Sequence, residues 1–528
     1  MFVRTMFSII AFGAAGPSLA QAIPDSQKTS PWFQEGQSHV ASRLNAQTLQ
    51  ADAPQAKNVI LFVGDGMGIS TLTAARILSG QRAGGSGEEA SLSFERFAHT
   101  ALVKTYNVDA QIPDSAGTMT AMMSGIKTNA GVVGVNSSVQ RGNCLQVAGN
   151  ELVSVLDLAE IKGMATGLVT TTRVTHATPA AAYAKSASRD WEDVSDQSVE
   201  VINQGCEDIA SQLVNYQQNL ERRFPAIDID GIDVVLGGGR DNFLPLGPDT
   251  DLTASFGQGS GQRTDNRNLI AEWQQTYPEG QYLVDAIDLA AIDANSSTPI
   301  LGLFSSSHMQ YDANRAVNEL SQPSLTQMVV KAVGALRNNP QGYLLIVESG
   351  RIDHAHHAGN AHGALSETIE LANAVDAVQE ITDSAETLIM VTADHSHVMT
   401  FSGYPKRGNP ILGKVVSEGS TSPALAGDEL PYTTLGYANG PGFRNYGDNT
   451  DPDRTYADGV TGGRQSLVDV DTEAPGFHQE ALVPLIAETH GGEDVAVHAT
   501  GAGAYRVQGS IEQNLIFHVI DQALGLSQ

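Results

Sequence analysis

Five apolar, β-branched runs punctuate the chain: "NVILFVGDG", "ATGLVTTT", "GIDVVLGGG", "GYLLIVESG" and "TLIMVTADH". Each breaks off at Gly, Asp, Thr, Ser or His. Runs this uniformly apolar suit strands buried on both faces, which means a parallel sheet covered by helices. The intervening stretches have helical periodicity. "GALSETIELANAVDAVQEITD" places Ile369, Ala372, Val375, Val378 and Ile381 at successive helical intervals. Strand and helix alternate, so the expected fold is α/β, with a central, mostly parallel β-sheet flanked by helices. In such sheets ligands gather beyond the carboxyl ends of the strands. The residues that end each run therefore matter most.

Those residues are chemically alike. Asp65 follows "NVILFVG", and Glu348 follows "GYLLIV", with Asp353 and His357 close behind in "ESGRIDHAHH". Asp394 and His395 follow "TLIMVTA", and His490 stands in "ETHGGEDV". Singly, each has a bland reading: a turn aspartate, a solvated histidine. Together they put carboxylates and imidazoles at one strand end after another, which points to a metal cluster. Asp353 and His357 are four apart, so one helical turn puts them on the same face. Mixed Asp and His ligands suit zinc, and an all-oxygen subset suits magnesium.

"PDSAGT", residues 113–118, adds a possible nucleophile. Asp and Ser are favoured helix caps, so a cap is the simpler reading of Asp114 and Ser115. No G-x-S-x-G elbow surrounds Ser115, and no nearby histidine could take its proton. A metal ion beside the hydroxyl could do so instead, helped by the dipole of a helix start.

Charge and the first residues bear on partners and compartment. Lys plus Arg number 30 and Asp plus Glu 59, a net charge of −29. So acidic a surface argues against nucleic-acid-specific binding and against anionic membranes. An anionic substrate would need a local cationic cluster. "MFVRTM", "FSIIAFGAAG" and "SLAQA" read as a secretory signal peptide over residues 1–22. No later apolar run reaches membrane-spanning length, and no lipid-anchor tail is evident. The expectation is an exported protein, periplasmic or extracellular, with no membrane anchor. Its two cysteines, Cys144 and Cys206, are then expected to pair. Residues 402–480, rich in Gly, Pro, Asp, Ser and Thr, read as a subdomain inserted into one catalytic domain over 23–528. Within the insert, "LPYTTLGYANGPGF" is expected to supply a strand.

Six segments in order, "FVGDGMG", "PDSAGT", "TTTRVTHATPAAAYA" with "SRDW", "VESGRIDHAHHAG", "TADHSH" and "ETHGGEDVAVHATG", resemble the alkaline phosphatase family. The resemblance is closer to the animal-type branch, because His176 in "THATP" and His354 in "DHAHH" stand where the enteric bacterial type has Asp and Lys. It implies hydrolysis of phosphate monoesters through a phosphoserine formed on Ser115. It also implies two zinc ions and one magnesium ion per chain. Asp353, His357 and His490 would hold the first zinc, and Asp65, Asp394 and His395 the second. Asp65, Thr178 and Glu348 would hold magnesium, with His176 behind them. Arg189 would grip two phosphate oxygens, and His354 would lie near the phosphate. His397 receives no ligand role. The 62-residue spacing of Cys144 and Cys206 is similar to an animal-type disulfide. A homodimer, with the crown-like 402–480 insert at its interface, is also implied. Animal-type members carry an acidic calcium ligand where "GLFSSSHM" has Ser305, so a fourth site is doubtful. The chief alternative is a phosphodiesterase or nucleotide pyrophosphatase of the same superfamily. A sulfatase is disfavoured because the chain has no C-x-P-x-R motif. A metal-scavenging protein would need neither Ser115 nor Arg189.

Overall fold

A computed structural model describes residues 23–46, 55–249, 259–293, 298–317 and 321–527. The expected signal segment, residues 1–22, lies outside them. Ten strands make one sheet: β1 (Asn58–Gly64), β2 (His99–Lys104), β3 (Ala165–Arg173), β4 (Val234–Gly238), β5 (Gln281–Leu283), β6 (Ile300–Leu303), β7 (Tyr343–Ser349), β8 (Thr387–Ala393), β9 (Val495–Gly501) and β10 (Gly509–Glu512). Their spatial order is β10-β2-β9-β8-β1-β7-β3-β4-β6-β5. Every neighbouring pair is parallel except those made by β9, which runs against β8 and β2. All five runs expected to be strands are strands of this sheet. In β7 and β8 every residue is buried, and in β1 all but Asn58 are, as strands covered on both faces require.

Two sets of helices cover the sheet. Leu325–Leu336 and Ala361–Ile381 pack together and against β7. Ser115–Ser124, Ala177–Tyr183 and Leu515–Leu524 form the other set, with contacts to β1 and β7. The periodicity expected in Ala361–Ile381 holds for Ala372, Val375 and Val378 but not for Ile381, which is exposed. The buried face instead includes Leu365, Thr368 and Leu371. A strict three-residue interval falls short of a full turn, so it drifts around the helix until Ile381 faces solvent.

β1 lies at the middle of the sheet, with β8 on one side and β7 on the other. Its carboxyl end is thus a topological switch point, where ligands bind. β9 enters the sheet from that same edge because it runs the opposite way. The residues just before it, His490 included, therefore reach the ends of the parallel strands. Residues 402–480 carry the strand Leu435–Gly440, inside the "LPYTTLGYANGPGF" stretch, paired with Met399–Phe401 and Ala481–Pro484.

Cys144 and Cys206 form a disulfide with Cα atoms 5.9 Å apart. It closes a loop of 62 residues. By the chain-entropy model that contributes about 4 kcal/mol. A Cys144→Ser, Cys206→Ser variant is expected to unfold at correspondingly lower denaturant, with activity in buffer retained. An unchanged denaturation midpoint would contradict this.

Candidate active site

The helix Ser115–Ser124 begins at the sheet's carboxyl edge. Its N-cap is Asp114, whose side chain accepts from Gly117 N, and Gly125 ends it in the left-handed region at φ 74°. Asp114 takes the capping role, so Ser115 at the first helical position has its hydroxyl free for other work. That hydroxyl is buried and stands 3.1 Å from His395 Nε2.

Around it lie Asp65, Asp394 and His395, all fully buried. Asp394 Oδ1 accepts from Gly66 N at 3.0 Å and His395 N at 2.9 Å. His395 Nε2 lies 3.4 Å from Asp65 Oδ1 and 3.2 Å from Asp394 Oδ2. Burial, then the neighbouring Asp394, Asp353 and Glu348, pushes the Asp65 carboxyl well above its ordinary range. Burial likewise raises Asp394, while burial and then His490 push His395 well down. All three shifts favour the neutral forms, as burial and crowded carboxylates require where no cation is bound.

Asp353, His357 and His490 converge beside this group. His357 Nε2 and His490 Nε2 are 3.2 Å apart, and lie 3.4 Å from Asp353 Oδ2 and Oδ1 respectively. His357 Nδ1 donates to the Glu488 carbonyl at 2.6 Å, and His490 Nδ1 to the Pro113 carbonyl at 2.8 Å. Both Nε2 atoms are thereby left as lone-pair acceptors facing each other, an arrangement that calls for a cation between them. Burial raises Asp353, but the imidazoles of His357 and His397 outweigh it and hold the carboxyl well below its usual range.

Glu348, at the end of β7, makes a third group with Asp65 and His176. Its Oε2 accepts from Thr170 Oγ1 and, at 2.9 Å, from Thr172 Oγ1. Its Oε1 and Asp65 Oδ1 are buried with no hydrogen-bond partner. Thr178 Oγ1 is 3.4 Å from Asp65 Oδ2. Burial, partly offset by the threonine hydroxyls, raises Glu348 to about 7. Two orphaned carboxylate oxygens in a dry site, with a hydroxyl alongside, fit a hard divalent cation.

Arg189 enters from the other side. Its Nη1 donates to Asp114 Oδ2 at 3.1 Å and its Nη2 lies 3.3 Å from His176 Nε2. The residue that caps the Ser115 helix thus also aims the guanidinium. His354 Nδ1 accepts from Arg351 Nη1 at 2.7 Å, and its ring packs on His176 and His308. Ser305 is buried, and its carbonyl accepts from Gly239 N and Arg240 N.

A family model described as alkaline phosphatase matches residues 56–526. The tissue-nonspecific alkaline phosphatase of Gallus gallus is 42% identical over 508 residues, which are 96% of this chain and 91% of that one. The corresponding Homo sapiens isozyme is 41% identical over 515 residues, 97% and 91% of the two chains. The chain belongs to the alkaline phosphatase family. It is an enzyme, and its activity is phosphate monoester hydrolysis. Its fold is also that of the Thermus thermophilus alkaline phosphatase crystal structure, at TM-score 0.62 and 21% identity, covering 91% of this chain and 95% of that one. The vertebrate relatives agree with the animal-type resemblance read from His176 and His354.

All ten residues named from the sequence as ligands, nucleophile or phosphate grip lie at the carboxyl edge around β1. His176 lies beside Asp65 and Glu348, with one ring nitrogen within 4.8 Å of a carboxylate oxygen of each. Two residues beside the site, Glu488 and His308, were not named from the sequence, and a third was named without a ligand role. His397, quoted in "TADHSH" and expected at most behind the ligands, groups with Asp353, His395 and His490. Glu488 opens "ETHGGEDV" and went unassigned. His308 follows β6, and the strand-end rule that found Asp65 would have found it too.

Proposed function

We propose that this enzyme transfers the phosphoryl group of a monoester to Ser115 and then to water, at a site holding two zinc ions and one magnesium ion. The observation that carries this reading is Ser115 Oγ, 3.1 Å from His395 Nε2 at the start of a helix that Asp114 shares with Arg189. Asp353, His357 and His490 are read as one zinc site, and Asp65, Asp394 and His395 as the other. Asp65, Thr178 and Glu348 are read as the magnesium site, with His176 against it. When bound, these metals act as Lewis acids, lowering the pKa of the serine hydroxyl and of water and adding positive charge.

Ser115 Oγ, having lost its proton, attacks phosphorus in line, so an Oγ–P bond forms as the ester P–O bond breaks and the leaving oxygen departs as the alcohol after taking up a proton from water. Arg189 presents two N–H groups to two phosphoryl oxygens, a match for its planar fork. Asp114 keeps the guanidinium from swinging away. The helix N-terminus favours the negative charge that develops. Water then cleaves the Oγ–P bond and releases phosphate. Arg189 and the bound cations would supply the local positive field that the acidic surface lacks.

The test is kcat/KM on an aryl phosphate monoester against the matching diester. A preference for the diester would move the reading to a phosphodiesterase. Glu348→Gln sharpens the comparison, because a magnesium ion held there would add positive charge for the extra negative charge that a monoester has and a diester lacks. It is expected to lower monoester turnover by on the order of tenfold or more, and diester turnover much less. Equal losses on both esters would contradict the magnesium assignment.

We also read the protein as exported and dimeric, with residues 402–480 as an inserted subdomain. The disulfide supports an oxidising compartment. Among the described residues no helix is long and apolar enough to cross a membrane. The strand Ala481–Pro484 lies at the edge of its small sheet and exposes Leu482 and Val483, with Ile486 just beyond. Such an edge suits burial against a second copy. Light scattering should give about twice the chain mass at micromolar concentration, and a monomer there would contradict it.

A further inference from the structure

Glu488 stands two residues before His490, and it is buried to 1% exposure. Both of its carboxylate oxygens are engaged: Oε1 accepts from Val398 N at 2.7 Å, and Oε2 faces His397 Nδ1 at 2.5 Å. Its backbone is engaged as well. The carbonyl accepts from His357 Nδ1 at 2.6 Å, and the N–H donates to the His357 carbonyl at 3.0 Å. At the far side of the His397 ring, Nε2 donates to Asp353 Oδ1 at 2.7 Å.

The ring between these carboxylates has little room to turn. His356 stacks on it at 4.8 Å, and His356 is itself tied to Thr71 Oγ1 and Tyr437 OH. On another side, a Cβ at Gly66 would stand 2.3 Å from His397 Cδ2, so only glycine admits the ring there.

We propose that Glu488 is a positioning residue for the first zinc site, acting through His397 on Asp353 and through its carbonyl on His357. This rests on the reading of Asp353 and His357 as zinc ligands. Glu488 also groups with His357 and His397 closely enough to hold an ion, but both of its carboxylate oxygens already accept hydrogen bonds, so it is read as an outer partner and not as a ligand. Its function is orientation. It holds His397 so that Nε2 takes one oxygen of Asp353 and fixes the rotation of that carboxylate. Its carbonyl holds the proton of His357 on Nδ1, which keeps Nε2 bare. Outer partners of this kind typically govern metal affinity by tenfold to a hundredfold.

The experiment uses the full chain with zinc as the probe. Zinc affinity is measured by competition with a chromogenic chelator for the wild type, Glu488→Gln, His397→Gln and the double variant. Glu488→Gln is expected to weaken the more affected zinc by about tenfold or more. A glutamine at 397 can still donate to Asp353 but no longer links to Glu488. Adding Glu488→Gln to His397→Gln is therefore expected to change affinity by less than about twofold. Unchanged affinity in Glu488→Gln, or losses that simply add in the double variant, would overturn the proposal. Imidazole ¹⁵N spectra of histidine-labelled wild type give a readout that needs no variant to fold. A proton on His397 Nδ1 is expected, and a bare Nδ1 would overturn the proposal. A wild type that binds no zinc would overturn the ligand reading itself, and with it the proposal.

Discussion

Replacing Ser115 with alanine is expected to lower kcat on an aryl phosphate monoester by on the order of 10³-fold or more, with zinc content unchanged. The loss should be this large because no other hydroxyl at the helix start could replace it. Thr118 Oγ1 is turned into the helix, toward the Asp114 and Ser115 carbonyls, and toward Asp394 Oδ2. Metal retention follows from the geometry: Asp394 is held by Gly66 N and His395 N, and neither contact passes through Ser115. The helix itself should survive, since Asp114 keeps the cap and alanine is a good helix former. Acid quenching of wild type during turnover of a labelled monoester should leave phosphate on Ser115. Phosphate on no residue would mean that water attacks directly. A variant keeping more than about a tenth of wild-type kcat would remove Ser115 from the nucleophile's role.

Stripping the metals with a chelator is expected to cost activity on a similar scale, with recovery on adding zinc and magnesium. Asp65, Glu348, Asp353 and Asp394 are each no more than 4% exposed. Without metals, a phosphate dianion would meet these four carboxylates, with Arg189 held beside them by Asp114. pH gives a second handle. Burial and mutual repulsion raise Asp65, burial raises Asp394, and burial brings Glu348 to about 7. In the metal-free protein Glu348 takes up a proton as pH falls through about 7, and Asp65 and Asp394 take theirs up above the ordinary carboxylate range. Metal binding must then release those protons, so affinity should fall toward acid and level off above that range. Magnesium affinity measured at about pH 6 and about pH 9 checks the sign. Affinity equal at both would contradict this account, as would full activity in excess chelator.

The strands were legible because parallel strands buried on both faces need long apolar runs, and "GYLLIVESG" has no other economical reading. The chemistry at their ends was legible because Asp65, Glu348 and Asp394 interrupt those runs abruptly. The helix Ala361–Ile381 was legible in kind and over much of its buried face, and Ile381 shows how far a short periodicity drifts.

By itself, then, the sequence determined which side chains stand at the strand ends, and so the residue types available to the site. Local pattern suffices for that, since burial of a strand is written into consecutive residues. Only the tertiary structure decided which of them meet. The reversal of β9 brings His490 to the same edge as Asp353, although 137 residues separate them. Asp114 reaches Arg189 across 75 residues, and Glu488 reaches His397 across 91. Contacts like these leave no periodicity in the chain. They depend on strand order and on the packing of buried rings such as His356 and His397, and those are set when the whole core closes.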